Sequence, residues 1–130
     1  MEDVSITTTA PNSVARRHRI LVSGSGPETV VLGNGFGTDQ FFWRALVPWF
    51  ERRYRVVRFD WVMDSARPDS AIDGFADDLL AVLQVTSSLP CTFVAHSMSG
   101  MIGMLAAQRA PSVFRRMVMI APGSPLYQRR

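Results

Sequence analysis

Lysine is absent from this chain. All 14 basic residues are arginine, and against 11 acidic residues they leave a formal net charge of +3. An all-arginine basic set reflects coding composition as readily as function. A nucleic-acid interface needs its arginines gathered on one face with aromatics among them. Arg16, Arg44, Arg58, Arg109 and Arg130 are instead spread along the whole chain, and no nucleic-acid partner is expected.

Other absences narrow the field further. Cys91 is the only cysteine, so no internal disulfide can form, and its place in an apolar strand-like run marks it as a small core residue. The opening stretch MEDVSITTTAPNS lacks the apolar segment of a secretory signal, and no apolar run is long enough to span a bilayer. A cytoplasmic protein without membrane contact is therefore expected. Histidine, cysteine and carboxylates form no cluster with metal-ligand spacing, and no GxGxxG turn occurs, so neither a metal nor a dissociable cofactor is expected. Residues 98–130 contain no Asp, Glu or His at all.

What is present reads as one folded domain: 130 residues that are 47% apolar suffice for a single core. Residues 1–15 are rich in Ser, Thr and Pro without periodicity and are expected to form a flexible arm outside a domain spanning 16–130. From Arg19 onward strand-like and helix-like segments alternate. HRILVSG and TVVLG come first, then a helical stretch over residues 39–53, then YRVVRFD, which predicts an α/β fold with a mostly parallel sheet and helices on both faces. Pro48 is tolerated only if a short turn precedes the helix and Pro48 opens it. Ile72, Phe75, Leu79, Leu80 and Leu83 fall three and four apart, so residues 71–83 should lay one apolar stripe on the sheet. CTFVA (91–95) and MVMI (117–120) are continuous apolar runs, as expected of strands buried on both faces, and they bracket a helix over residues 99–108.

The strongest chemical feature is CTFVAHSMSGMIGMLAAQ, a buried strand, a sharp turn at His96-Ser97-Met98 and a helix. Such a nucleophile elbow holds a serine at a strained φ/ψ with its hydroxyl projecting above the sheet, and it demands small residues two positions before and after. Ala95 and Ser99 meet that demand, although the more usual pattern has glycine at both. A helix starting after Ser97 offers unpaired N–H groups and a favourable dipole, so the N–H of Met98 is a candidate oxyanion donor. The second donor is expected from GNGFG (33–37), which follows TVVL and would bring in the N–H of Phe36. Alone, GNGFG could be an ordinary strand-to-helix turn. Paired with the elbow it is more specific, because one oxyanion needs donors from both loops.

VLGNGFGTDQ, YRVVRFD, VAHSMSGMIGMLA and VMIAPGSPLY together resemble one branch of the α/β-hydrolase superfamily, that of the bacterial stress-response regulatory hydrolase and the plant karrikin and strigolactone receptors. The resemblance covers residues 18–127 and corresponds to the N-terminal half of full members, which implies a three-layer fold that is truncated here. It also implies a small apolar pocket over Ser97, covered by a helical lid inserted after the strand at 117–120. Asn34 stands where many relatives have His, and WVMDSARPDSAID is shorter than their equivalent and lacks its Gly-rich turn.

The family order is Ser, then Asp or Glu, then His, and the last two are missing. His96 adjoins Ser97 with its side chain expected to leave the turn in another direction, and His18 lies near the first strand, so neither is a credible general base. Three readings follow. The chain is a serine hydrolase of small esters or lactones completed by polypeptide from elsewhere, a non-catalytic small-molecule binding or regulatory module, or a truncated product that folds marginally. The strand at 117–120 is expected to expose an apolar edge that takes a second copy or a partner chain.

Overall fold

The computed structural model describes residues 4–5, 12–63 and 71–121. In chain order the elements are β1 (Val4–Ser5), α1 (Asn12–Arg17), β2 (Leu21–Ser23), β3 (Thr29–Gly33), a 3-10 turn (Gln40–Trp43), α2 (Val47–Phe50), β4 (Arg55–Arg58), α3 (Ala71–Val85), β5 (Cys91–His96), α4 (Met98–Arg109) and β6 (Phe114–Ile120). The strands form one six-stranded sheet in the order β1-β2-β4-β3-β5-β6. β2 runs antiparallel to both of its neighbours, while β4, β3, β5 and β6 are mutually parallel.

Alternation along the strands divides the apolar residues between two cores. Val31, Val57, Phe93 and Ala95 point to the side covered by α1, α3 and α4, where they meet Phe75, Leu79, Leu83, Ile102 and Ala106. Val30, Leu32, Val56 and Val94 point to the other side and pack on Trp43 and Val47. Helical cover on both faces makes this a three-layer α/β fold. The stripe expected on residues 71–83 is present in α3: Phe75, Leu79 and Leu83 are buried, and Ile72 and Leu80 pack at its margin. α4 lies close to the sheet because its contact face is small. A Cβ on Gly103 would come within 2.9 Å of the Phe93 ring and 3.1 Å of Met117 Sδ, so a larger residue there would push the helix off β5.

The stretch 39–53 divides as Pro48 requires. Asp39 caps the 3-10 turn by accepting from the Phe41 N–H at 2.9 Å, and α2 begins at Val47 with Pro48 in its first turn, where a missing N–H costs nothing.

Two expectations are corrected. Residues 1–15 are not simply an arm outside the fold: Val4 and Ser5 pair with Val22 and Leu21 of β2, and α1 starts at Asn12 and buries Ala15 in the core. A two-residue strand and a six-residue helix are too short to show a period, which is why the sequence pattern missed them. Residues 1–3 and 6–11 lie outside the described residues. Second, the strand at 117–120 is not buried on both faces. Among the described residues β6 is the last strand of the sheet, and Val118, Met119 and Ile120 are exposed. An apolar run specifies extended structure, but whether a neighbour covers it depends on the rest of the sheet.

Candidate active site

Ser97 lies between the last residue of β5 and the first of α4, with φ 56° and ψ −123°. This backbone conformation is rarely adopted by a residue with a Cβ and stores about 1–3 kcal/mol. Hydrogen bonds on both sides hold it: the Ser97 N–H donates to the Ile120 carbonyl at 2.9 Å, and the Ser97 carbonyl accepts from the Gly100 N–H at 3.0 Å. Ala95 and Ser99, the small positions flanking the turn, are fully buried.

The two loops singled out in the sequence meet at this point. A Cβ on Gly35 would lie 3.1 Å from Ser97 Cβ and 2.9 Å from His96 Nδ1, so the 33–37 loop is pressed against the elbow and only glycine permits that approach. Met98 is buried in the first turn of α4, and that turn carries no acidic residue. Phe36 follows Gly35, with its ring 54% exposed and set edge-on to Phe75 at 6.0 Å.

A buried polar hub that pattern reading did not find locks the loop in place. Asn34 is fully buried. Its Nδ2 donates to the Phe59 carbonyl at 2.9 Å, and its Oδ1 accepts from Trp43 Nε1 at 2.7 Å. The Asn34 carbonyl accepts from Trp61 Nε1 at 2.9 Å and from the Ser99 hydroxyl, while Ser99 Oγ in turn accepts from Trp61 Nε1 at 2.9 Å. The asparagine therefore ties together the end of β4, the 3-10 turn, the 33–37 loop and the start of α4. Ser99 supplies a hydroxyl to this hub, which glycine could not. The available signal was that buried tryptophans need an acceptor for each indole N–H and that a buried amide must satisfy both its ends.

Neither histidine is hydrogen-bonded to the serine hydroxyl. His96 stacks on Phe42 with ring centroids 4.6 Å apart, and its Nδ1 is buried without a hydrogen-bond partner. His18 is buried on the far flank, where Nδ1 donates to the Asp60 carbonyl at 2.8 Å. Among the described residues no side chain hydrogen-bonds Ser97 Oγ. Burial pushes the Cys91 thiol up to about 12, consistent with an inert core residue in β5. Among the described residues no group of three or more His, Cys, Asp or Glu gathers as a metal site, and no helix is long and apolar enough to cross a membrane. The expected lid lies outside the described residues.

This arrangement of strand, strained serine and helix, with a glycine-rich loop pressed against it, can be set beside known proteins. A strigolactone esterase of Pisum sativum is 38% identical over 109 residues, covering 78% of this chain and 41% of that protein. A karrikin insensitive 2 receptor of Petunia hybrida is 38% identical over 122 residues, covering 88% of this chain and 45% of that protein. Among solved structures, a hydrolase from Oleispira antarctica superposes with a TM-score of 0.78 at 27% identity, covering 90% of this chain and 48% of that one. The chain thus spans less than half the length of each of these relatives. Residues 28–128 match the family described as alpha/beta hydrolase fold, and the chain belongs to that family.

Proposed function

We propose that this chain carries the nucleophile-bearing half of a serine hydrolase for small esters or lactones. Ser97 is the nucleophile, and the N–H groups of Phe36 and Met98 receive the oxyanion. The observation that carries this reading is the positive φ of Ser97, held in contact with the glycine-rich loop. Attack of Oγ on the substrate carbonyl forms the new C–O bond and moves an electron pair onto the carbonyl oxygen, where preorganised N–H donors are most effective. The hydroxyl proton must pass to a base.

Among the described residues no base is hydrogen-bonded to Ser97 Oγ: His18 bonds the Asp60 carbonyl, and His96 stacks on Phe42 with its Nδ1 unpartnered. On this reading the acid and the histidine come from polypeptide other than these residues. Without them, turnover is limited to the oxyanion and binding contributions, about 10³ to 10⁴ over water. Two observations favour a second reading, a small-molecule binding or regulatory module: Ser97 Oγ has no hydrogen-bonded side chain among the described residues, and a relative covering much of the chain is named a receptor.

The test is covalent labelling with a fluorophosphonate followed by intact mass, alongside p-nitrophenyl acetate hydrolysis, in wild type and Ser97→Ala. Label and turnover that vanish in Ser97→Ala support the hydrolase reading. A folded chain that takes no label, also after addition of a candidate second chain, overturns it in favour of the binding module.

A further inference from the structure

The helical turns that cover the second core run without a break from Gln40 to Arg53, and their two flanks differ. Trp43, Val47, Phe50 and Tyr54 recur at helical spacing and face the sheet. The positions one before the first three, Phe42, Leu46 and Trp49, form a neighbouring stripe that is 42%, 44% and 62% exposed. Phe42 stacks on His96, which emerges on the same face of β5 as Val94. The register partners of His96 and Val94 are Ile120 and Val118, both exposed, so the apolar surface continues from Phe42 across His96 to β6. Phe41 and Arg44 lie on the opposite flank, beside β2.

Cations edge this stripe. Arg52 and Arg53 follow Trp49 by one helical turn and border a small cleft with it and Tyr54. Both are exposed, and neither has an ion-pair partner among the described residues. Glu51 is the only acidic residue between positions 40 and 55. Arg116, on the same face of β6 as Val118, is paired with Glu28 at 3.6 Å. These charges discriminate between partners for the apolar surface. A second copy docked through this flank would bring arginines of like sign together, whereas an anionic surface would meet them with opposite charge. An exposed indole beside arginines suits the boundary of a bilayer, where the ring enters the acyl margin and the guanidinium groups stay among the headgroup phosphates.

We propose that this flank docks on an anionic lipid surface, with Leu46 and Trp49 entering the interface and Arg52 and Arg53 on the headgroup phosphates. Such a contact lies in the membrane plane and needs no spanning segment, so the lack of a long apolar run, from which no membrane contact is expected, does not bear on it. Each arginine held near an anionic surface contributes about fivefold in affinity, and burial of the half-exposed apolar side chains adds to that. The contact does not depend on Ser97 being reactive.

Flotation of the full chain with vesicles at low salt tests it, comparing phosphatidylglycerol mixed with phosphatidylcholine against phosphatidylcholine alone. Trp43 and Trp61 are buried, so a change in tryptophan emission reports on Trp49. The chain is expected to float with the anionic vesicles and not with the neutral ones, and its emission to shift blue. Trp49→Phe should keep the binding and lose the blue shift. Affinity should fall about fivefold in Arg52→Ala and in Arg53→Ala, and about tenfold in Leu46→Ser. Arg16→Ala on α1 and Met104→Ser on α4, exposed positions across the sheet from this flank, should leave it unchanged. No flotation, equal flotation with both vesicles, or equal losses in the two control variants would overturn the proposal. A lipid-free dimer that Leu46→Ser dissociates would also overturn it, since a second copy would then cover the flank.

Discussion

Val94 in β5 and Val118 in β6 are the same residue in adjacent parallel strands, register partners whose side chains emerge on the same face of the sheet. Val94 is 6% exposed and Val118 is 45% exposed. The whole of each strand follows suit: β5 is buried almost end to end, while β6 is covered only in part, at Phe114 and Met117. Burial is thus a property of the neighbours a strand has rather than of its residues. β5 has β3 on one side, β6 on the other and α4 across one face, whereas among the described residues nothing pairs with the outer edge of β6.

Four substitutions probe that contrast. Phe93→Ala removes a fully buried ring that fills the space under Gly103 and stacks on Phe114, and it should cost about 3–5 kcal/mol in urea unfolding. Val118→Ala in the next strand should cost about 0.5 kcal/mol or less, and comparable losses at the two sites would remove the distinction between covered and open strands. Asn34→Ala strands the Trp43 indole N–H and the Phe59 carbonyl in the interior, for about 2–3 kcal/mol. Tryptophan emission should also shift red as the hub loosens, and an unchanged spectrum and midpoint would show that the hub bears no strain of the fold. Val118→Lys should leave stability within about 0.5 kcal/mol yet turn self-associating protein toward monomer in sedimentation velocity, because a charge on an open edge blocks strand addition. Association that persists in this variant would place the contact elsewhere.

The same contrast explains what could be read from the sequence. The elbow around Ser97 was legible because strand, turn and helix follow one another within twenty residues, so local pattern and steric need coincide. The stripe of α3 was legible for the same reason. The hub of Asn34, Trp43, Trp61 and Ser99 was not, since its members are separated by up to 65 positions and meet only once the sheet has formed. The openness of β6 was half legible: its apolar character suggested a buried strand, and only the resemblance to longer proteins suggested an edge. In α1 and β1 there was too little chain for any pattern to register.

The hydrogen bond from the Ser97 N–H to the Ile120 carbonyl joins the strained residue of the turn to the last residue of a sparsely covered strand. Edge strands open on their own, at free energies well below that of global unfolding. Each such excursion releases the amide of Ser97 and lets its backbone relax toward an ordinary conformation. The exchange rate of that one amide is thereby a readout of how long the strand beside it stays closed.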